Sequence, residues 1–63
     1  MKLTKYIYLY VIQFRCDGGA WEDIGEYPKC GYKYRDVLHD LKEYRLSGGG
    51  EYRIIERRER RNP

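Results

Sequence analysis

The chain has 63 residues, of which 41% are apolar and 37% charged, with 13 Lys+Arg against 10 Asp+Glu and a formal net charge of +3. That length holds one small core, because two would each fall below the size that folds without a staple, and the balance of apolar and charged residues excludes long disorder. The longest uncharged run, Tyr6 to Phe14, is nine residues, about half of the roughly 20 apolar residues a spanning helix needs, so no membrane segment is expected.

Met1-Lys2-Leu3-Thr4-Lys5 is basic but leads into tyrosines, not into an apolar stretch with a small-residue cleavage site. No export signal is expected, and the expected compartment is the cytoplasm. From Thr4 to Arg15, TKYIYLYVIQFR is dense in β-branched and aromatic residues and predicts a first strand over 4–15. Asp17-Gly18, within Cys16-Asp17-Gly18-Gly19, tolerates positive φ and predicts a tight hairpin turn. AWEDIGEY is the returning strand over 20–27, and Pro28, which has no amide hydrogen to donate, ends it. Symmetric pairing about the turn sets Phe14 opposite Trp21, Val11 opposite Ile24 and Tyr10 opposite Gly25, so that Tyr10 covers the glycine.

Beyond Gly31 the spacing changes. Tyr34, Val37, Leu38, Leu41 and Tyr44 recur at three and four residues, which predicts a helix over about 32–46 with Arg35, Asp36, His39, Asp40, Lys42 and Glu43 on its polar face. Ser47-Gly48-Gly49-Gly50 closes it. EYRIIERR predicts a third strand over 51–58, and residues 59–63 are polar enough to fray.

The expected architecture is α+β: a ββαβ chain with a three-stranded antiparallel sheet in the order 2-1-3 and one helix on one face. The long apolar first strand suits the centre, and the Glu- and Arg-bearing strands suit the edges. Gln13 and Arg15 mark the wetter side of the first strand. Tyr8, Tyr10, Ile12 and Phe14 then face the helix, joined by Trp21, Tyr27, Tyr52 and Ile54. Asp23 falls on that side too, opposite Ile12, as a mismatch tolerated at an edge.

The same alternation leaves Ile7, Leu9, Val11, Ile24 and Ile55 on the face without a helix, rimmed by Gln13, Glu22, Glu26, Arg53 and Arg57. An apolar centre with a charged rim has the composition of a contact surface. Ile7, Leu9, Val11, Ile24, Arg53, Ile55 and Arg57 are therefore the candidate partner-binding residues. The occupant is either a second copy, forming a homodimer, or an unrelated host protein. A bulge in the first strand that turned Ile7 and Leu9 inward would remove this surface.

Other features carry less. Cys16 and Cys30 lie too far apart, with one His, for a four-ligand zinc site. Free thiols are expected, a disulfide being the alternative in an oxidising setting. His39 beside Asp36 and Asp40 lacks a nucleophile, and Gly48-Gly49-Gly50 follows a helix instead of preceding one. No catalytic residue, metal or cofactor is expected. Tyr44-Arg45 and Tyr52-Arg53 suit both protein hot spots and nucleic-acid stacking, although core packing explains most of the eight tyrosines. Arg53 to Arg61 holds five arginines and two glutamates. Nucleic-acid binding by this third strand is the second function to weigh, against an arginine-protected edge.

W-E-D at Trp21 to Asp23, E-Y at Glu26-Tyr27, E-Y-R at Glu43 to Arg45 and Y-R-I at Tyr52 to Ile54 resemble the pattern of short uncharacterised ββαβ proteins encoded by bacteriophages and prophages. The resemblance spans Tyr10 to Arg57. It implies no catalytic residue. It implies instead an accessory protein of the host cytoplasm that binds and blocks host machinery, including antiviral defence complexes. A scavenger of small nucleotide signals is a further possibility without a supporting motif.

Overall fold

β-branched and aromatic side chains crowd the backbone least when it is extended, and KYIYLYVIQFR forms β1 (Lys5–Arg15) in the computed structural model, which describes residues 5–61 and the side chains of residues 6–60. Asp17 and Gly18, at φ 53° and 72°, turn the chain back, and the Gly19 amide donates to the Cys16 carbonyl at 3.0 Å. Two successive positive φ angles make this the I′ turn whose twist matches a hairpin. β2 (Glu22–Pro28) follows, then α1 (Tyr34–Ser47) and β3 (Glu51–Arg61).

The three strands form one antiparallel sheet in the order β2-β1-β3, with α1 packed on one side. The ββαβ arrangement expected from the sequence is thus the fold. We call the sheet face under α1 the front and the opposite face the back.

Element bounds differ where backbone groups find other partners. The helix starts two residues later than its periodicity suggests. The Tyr32 amide is spent on the Pro28 carbonyl at 3.0 Å, while the Asp36 carboxylate accepts the Lys33 amide at 2.9 Å and caps the first turn. Glu59 to Arg61, expected to fray, continue β3, because β1 is long enough to pair Ile7, Tyr6 and Lys5 with Glu59, Arg60 and Arg61. Thr4, Asn62 and Pro63 lie outside the described residues.

The hairpin register also differs. Ile12 pairs with Gly25, Val11 with Glu26 and Tyr10 with Tyr27, whereas Gln13 pairs with Asp23 and Phe14 with Glu22. This lies one residue from symmetric pairing at Phe14 and Gln13 and two residues from it at Ile12, Val11 and Tyr10. Trp21 has left the ladder, and Ile24 is an unpaired bulge residue between Asp23 and Gly25. A bulge reverses side-chain alternation on one strand only. Ile24 therefore joins the front, packed against the core, while Asp23 goes to the back.

Ile12, Val37 and Leu41 are the buried centre under α1, surrounded by Tyr10, Ile24, Tyr27, Leu38, Tyr44, Tyr52 and Ile54. Aromatic rings fill the margins: Phe14 against Tyr52 at 5.0 Å, Tyr44 stacked on Tyr52 at 5.8 Å, and Tyr34 edge-on to Tyr10 at 5.6 Å. The Tyr27 hydroxyl donates to Asp40 at 2.8 Å, tying β2 to the helix. Burial first, and the neighbouring Asp40 carboxylate second, push the Tyr27 phenol far above its ordinary range. The ring that covers Gly25 is that of Tyr27, two residues along the same strand, and not that of Tyr10: a Cβ on Gly25 would stand 3.0 Å from it.

At the entrance to β3 a Cβ on Gly50 would lie 2.5 Å from the Arg15 carbonyl oxygen and press on the Phe14 ring, whereas Gly31 faces open space. Gly50→Ala is expected to cost about 1–3 kcal/mol by overpacking, a fall of roughly 5–20 °C in Tm for a domain of this size. Gly31→Ala should stay within about 0.5 kcal/mol of the parent. Thermal unfolding followed by circular dichroism compares the two; equal Tm values would contradict this packing.

Candidate binding surface

The back of the sheet has no helix over it, yet its central aliphatic side chains are not open. Leu9 is 3% exposed and Val11 0%. Their cover is polar and comes from both neighbouring strands. Arg57 stands level with Leu9 on β3, and Asp23 stands level with Gln13 on β2. The two side chains meet, Arg57 Nη1 to Asp23 Oδ2 at 2.6 Å and Nη2 to Oδ1 at 3.3 Å. A bond between those positions must cross β1 at Val11.

Gln13, itself buried, completes the network. Its Nε2 donates to Asp23 Oδ1 at 2.8 Å, and its Oε1 accepts from Arg53 Nε at 2.8 Å. Arginine reaches this far because its aliphatic stem lies along apolar surface while its guanidinium stays near water. The Arg57 guanidinium, then Gln13, hold the Asp23 carboxyl below its ordinary range, against a smaller opposing effect of burial.

At the turn end of the back face, Trp21 lies close to two guanidiniums. Arg53 is 4.1 Å and Arg15 4.6 Å from its ring centroid, and Arg15 Nε also bonds Glu51 Oε1 at 2.5 Å. The indole is therefore part of the back surface. It is not in the core, where symmetric pairing had put it.

The seven candidate residues do not form one exposed apolar patch. Leu9 and Val11 are on the back face but sealed within the chain, and Ile24 is on the other side of the sheet because of the bulge. Ile7 and Ile55 are half-buried. Of the set, Arg53 and Arg57 lie in the outer layer, and they form the covering that the sequence placed at the rim. The apolar area that a homodimer was expected to hide is thus largely hidden by the chain itself. Asp23 and Trp21 are the back-surface residues that pattern reading put on the other face, whereas Arg15 stands on the wetter side where alternation placed it. Two arginines flanking Ile55 at two-residue spacing were the available signal for such a cover.

On the front, alternation places Tyr8 correctly but says nothing about the reach of the helix. β2 ends at Pro28, opposite Leu9, while β1 and β3 run on as a two-stranded arm. Tyr8 lies on this overhang and is 51% exposed, and Tyr6 is 46% exposed. Tyr32 and Tyr34 are exposed nearby, although the Tyr34 position belongs to the apolar helix stripe. Arg58 lies over Tyr6, 4.4 Å from the ring centroid, and Lys29 over Tyr10 at 4.7 Å while pairing with Glu56 at 2.9 Å.

The remaining chemistry-bearing residues stand apart. His39 is exposed, 3.8 Å from Asp40. Cys16 and Cys30 are free, exposed thiols at two different turns. No group of metal-ligating side chains occurs among the described residues, and no described helix is long and apolar enough to cross a membrane. Comparison with protein-family models, with curated proteins and with solved structures finds no match to this chain.

Asp23 gives the back face a pH signature. Its folded pKa is depressed, so its stabilising effect is complete above the unfolded carboxyl value of about 3.9 and is lost as pH falls through the lower folded value. Asp23→Asn is expected to lower the urea midpoint at pH 7 and to flatten the acid limb below about pH 4. Parallel acid limbs in parent and variant would show that the charge of Asp23 adds nothing to stability.

Proposed function

We propose that this chain is a non-enzymatic binding module of the bacteriophage accessory type, which occludes a partner protein through the back face of its sheet. One observation carries the reading. Trp21, Arg15, Arg53 and Arg57 share the helix-free face, held by one another, Gln13, Asp23 and Glu51. Trp and Arg supply a disproportionate part of the binding energy in protein interfaces, and side chains already fixed lose little entropy on docking.

The resemblance to short phage proteins gives the kind of partner: a host protein, with antiviral defence complexes foremost, met in the host cytoplasm. The action is steric, with the guanidiniums setting orientation and steering acidic surface toward the face. A second copy of the chain is the other occupant of the same surface, and light scattering across a concentration series separates the two.

Trp21→Ala and Arg53→Glu are expected to lose the partner, each by about 2 kcal/mol or more, roughly thirtyfold in Kd. Affinity capture from host lysate with parent and variants, followed by titration of the captured protein, reads the effect. Melting curves accompany each variant. Retention of the same partner by both folded variants would overturn the assignment of the back face.

A further inference from the structure

β1 outlasts β2. Its ladder with β2 ends at Leu9 and Pro28, but its ladder with β3 continues to Lys5 and Arg61. The overhang escapes the helix as well, which is why Tyr6 and Tyr8 are about half exposed on the front. Directly across the ladder from them stand Arg60 and Arg58. The arm thus presents two tyrosines and two arginines on one side, in register. Among the described residues, four of the five large exposed hydrophobic side chains, Tyr6, Tyr8, Tyr32 and Tyr34, lie on this arm or close to the helix start.

The charges here differ from those on the back face. Arg15 and Arg57 each hold a carboxylate, whereas neither Arg58 nor Arg60 has one among the described residues. Glu56, the acidic residue on the same side of β3, is already paired with Lys29. Beside the platform, where β2 stops, an open depression of about 360 Å³ is lined by Tyr6, Ile7, Tyr8, Pro28, Lys29 and Cys30.

We propose that the front of this arm binds single-stranded nucleic acid, with bases stacked on Tyr8 and on the Tyr6–Arg58 pair and phosphates held by Arg58 and Arg60. Stacking on tyrosine and on guanidinium planes is the sequence-tolerant way in which unpaired bases are bound, and unpaired cations supply the phosphate contacts. Spacing favours a single strand. Same-face residues two apart on a strand stand about 7 Å from each other, twice the 3.4 Å rise of stacked bases in a duplex. Two such rings therefore engage bases that have been drawn apart, which paired and stacked bases are not. The depression beside Tyr8 gives a displaced base an apolar wall with the Lys29 ammonium near it.

This inference concerns different residues from the back-face proposal, and each stands if the other fails. Fluorescein-labelled oligothymidylate and oligouridylate, titrated with the full chain at low salt and followed by anisotropy, test it. Both sources share the bases and phosphates that matter, and binding of either supports the proposal. Binding should weaken with salt at a log–log slope of about −1.4, the value for two phosphate contacts to a single strand. Tyr8→Ala should weaken it about five- to a hundredfold, and Tyr8→Phe should leave it nearly unchanged. Arg58→Glu with Arg60→Glu should abolish it while Trp21→Ala does not. Circular dichroism establishes that each variant is folded.

The two cysteines provide a footprint. Bound oligonucleotide should slow thiol labelling at Cys30, in the depression, and leave Cys16 at the far turn unchanged. Absence of binding at low salt overturns the proposal, as does tighter binding of duplex. So does equal competition by polyglutamate together with an inert Tyr8→Ala, which would mark the arm as a docking surface for acidic protein.

Discussion

The sheet depends on one diagonal interaction, the Arg57–Asp23 pair that passes over β1 from β3 to β2. A three-stranded sheet with a single helix has two faces and one lid, and α1 is the one helix among the described residues. Exposed ion pairs contribute little on their own, commonly about 0–1 kcal/mol. The geometry here gives this one a second effect: it lays an arginine stem across Val11 and recruits Gln13 and Arg53 into the same layer. Apolar burial and charge pairing are obtained from the same side chain.

How much of this was legible in the sequence follows from what each signal measures. Alternation and three-to-four spacing report local periodicity, and they found every element, the strand order and the front-facing residues Tyr10, Ile12, Tyr27, Tyr52 and Ile54. They do not report insertions. Asp17-Gly18 located the I′ turn, but symmetric extension from it failed because Trp21 leaves the ladder and Ile24 bulges, moves set by tertiary partners on opposite faces of the sheet. Periodicity also assigns a face without saying whether anything lies over it. Tyr8 was placed on the helix side, and the helix does not extend that far. Arginine was read as rim because hydropathy scores the head group and not the three methylenes beneath it.

The bulge, the roof and the arm form one connected set. If Ile24 stayed in the ladder, Asp23 would point to the front, Arg57 would lose its acceptor, and Val11 would lie under an unpaired guanidinium. The same long β1 that needs a roof at Val11 projects past β2 and creates the arm. The back thus carries cations that are engaged by carboxylates or amide oxygen, and the front of the arm carries Arg58 and Arg60, which have no such partner among the described residues. A single charge count for the chain conceals this division, with its different consequences for partners.

β3 closes the sheet on one side, and among the described residues no strand pairs with its outer edge. Eleven residues of backbone without proline or bulge would ordinarily invite further copies to add on and grow into fibrils. In-register parallel stacking would set Arg53, Arg57, Arg58 and Arg60 each against itself. Repulsion of this kind is a colloidal safeguard that weakens as the Debye length shrinks, so the purified protein should be hardest to keep dispersed in concentrated salt.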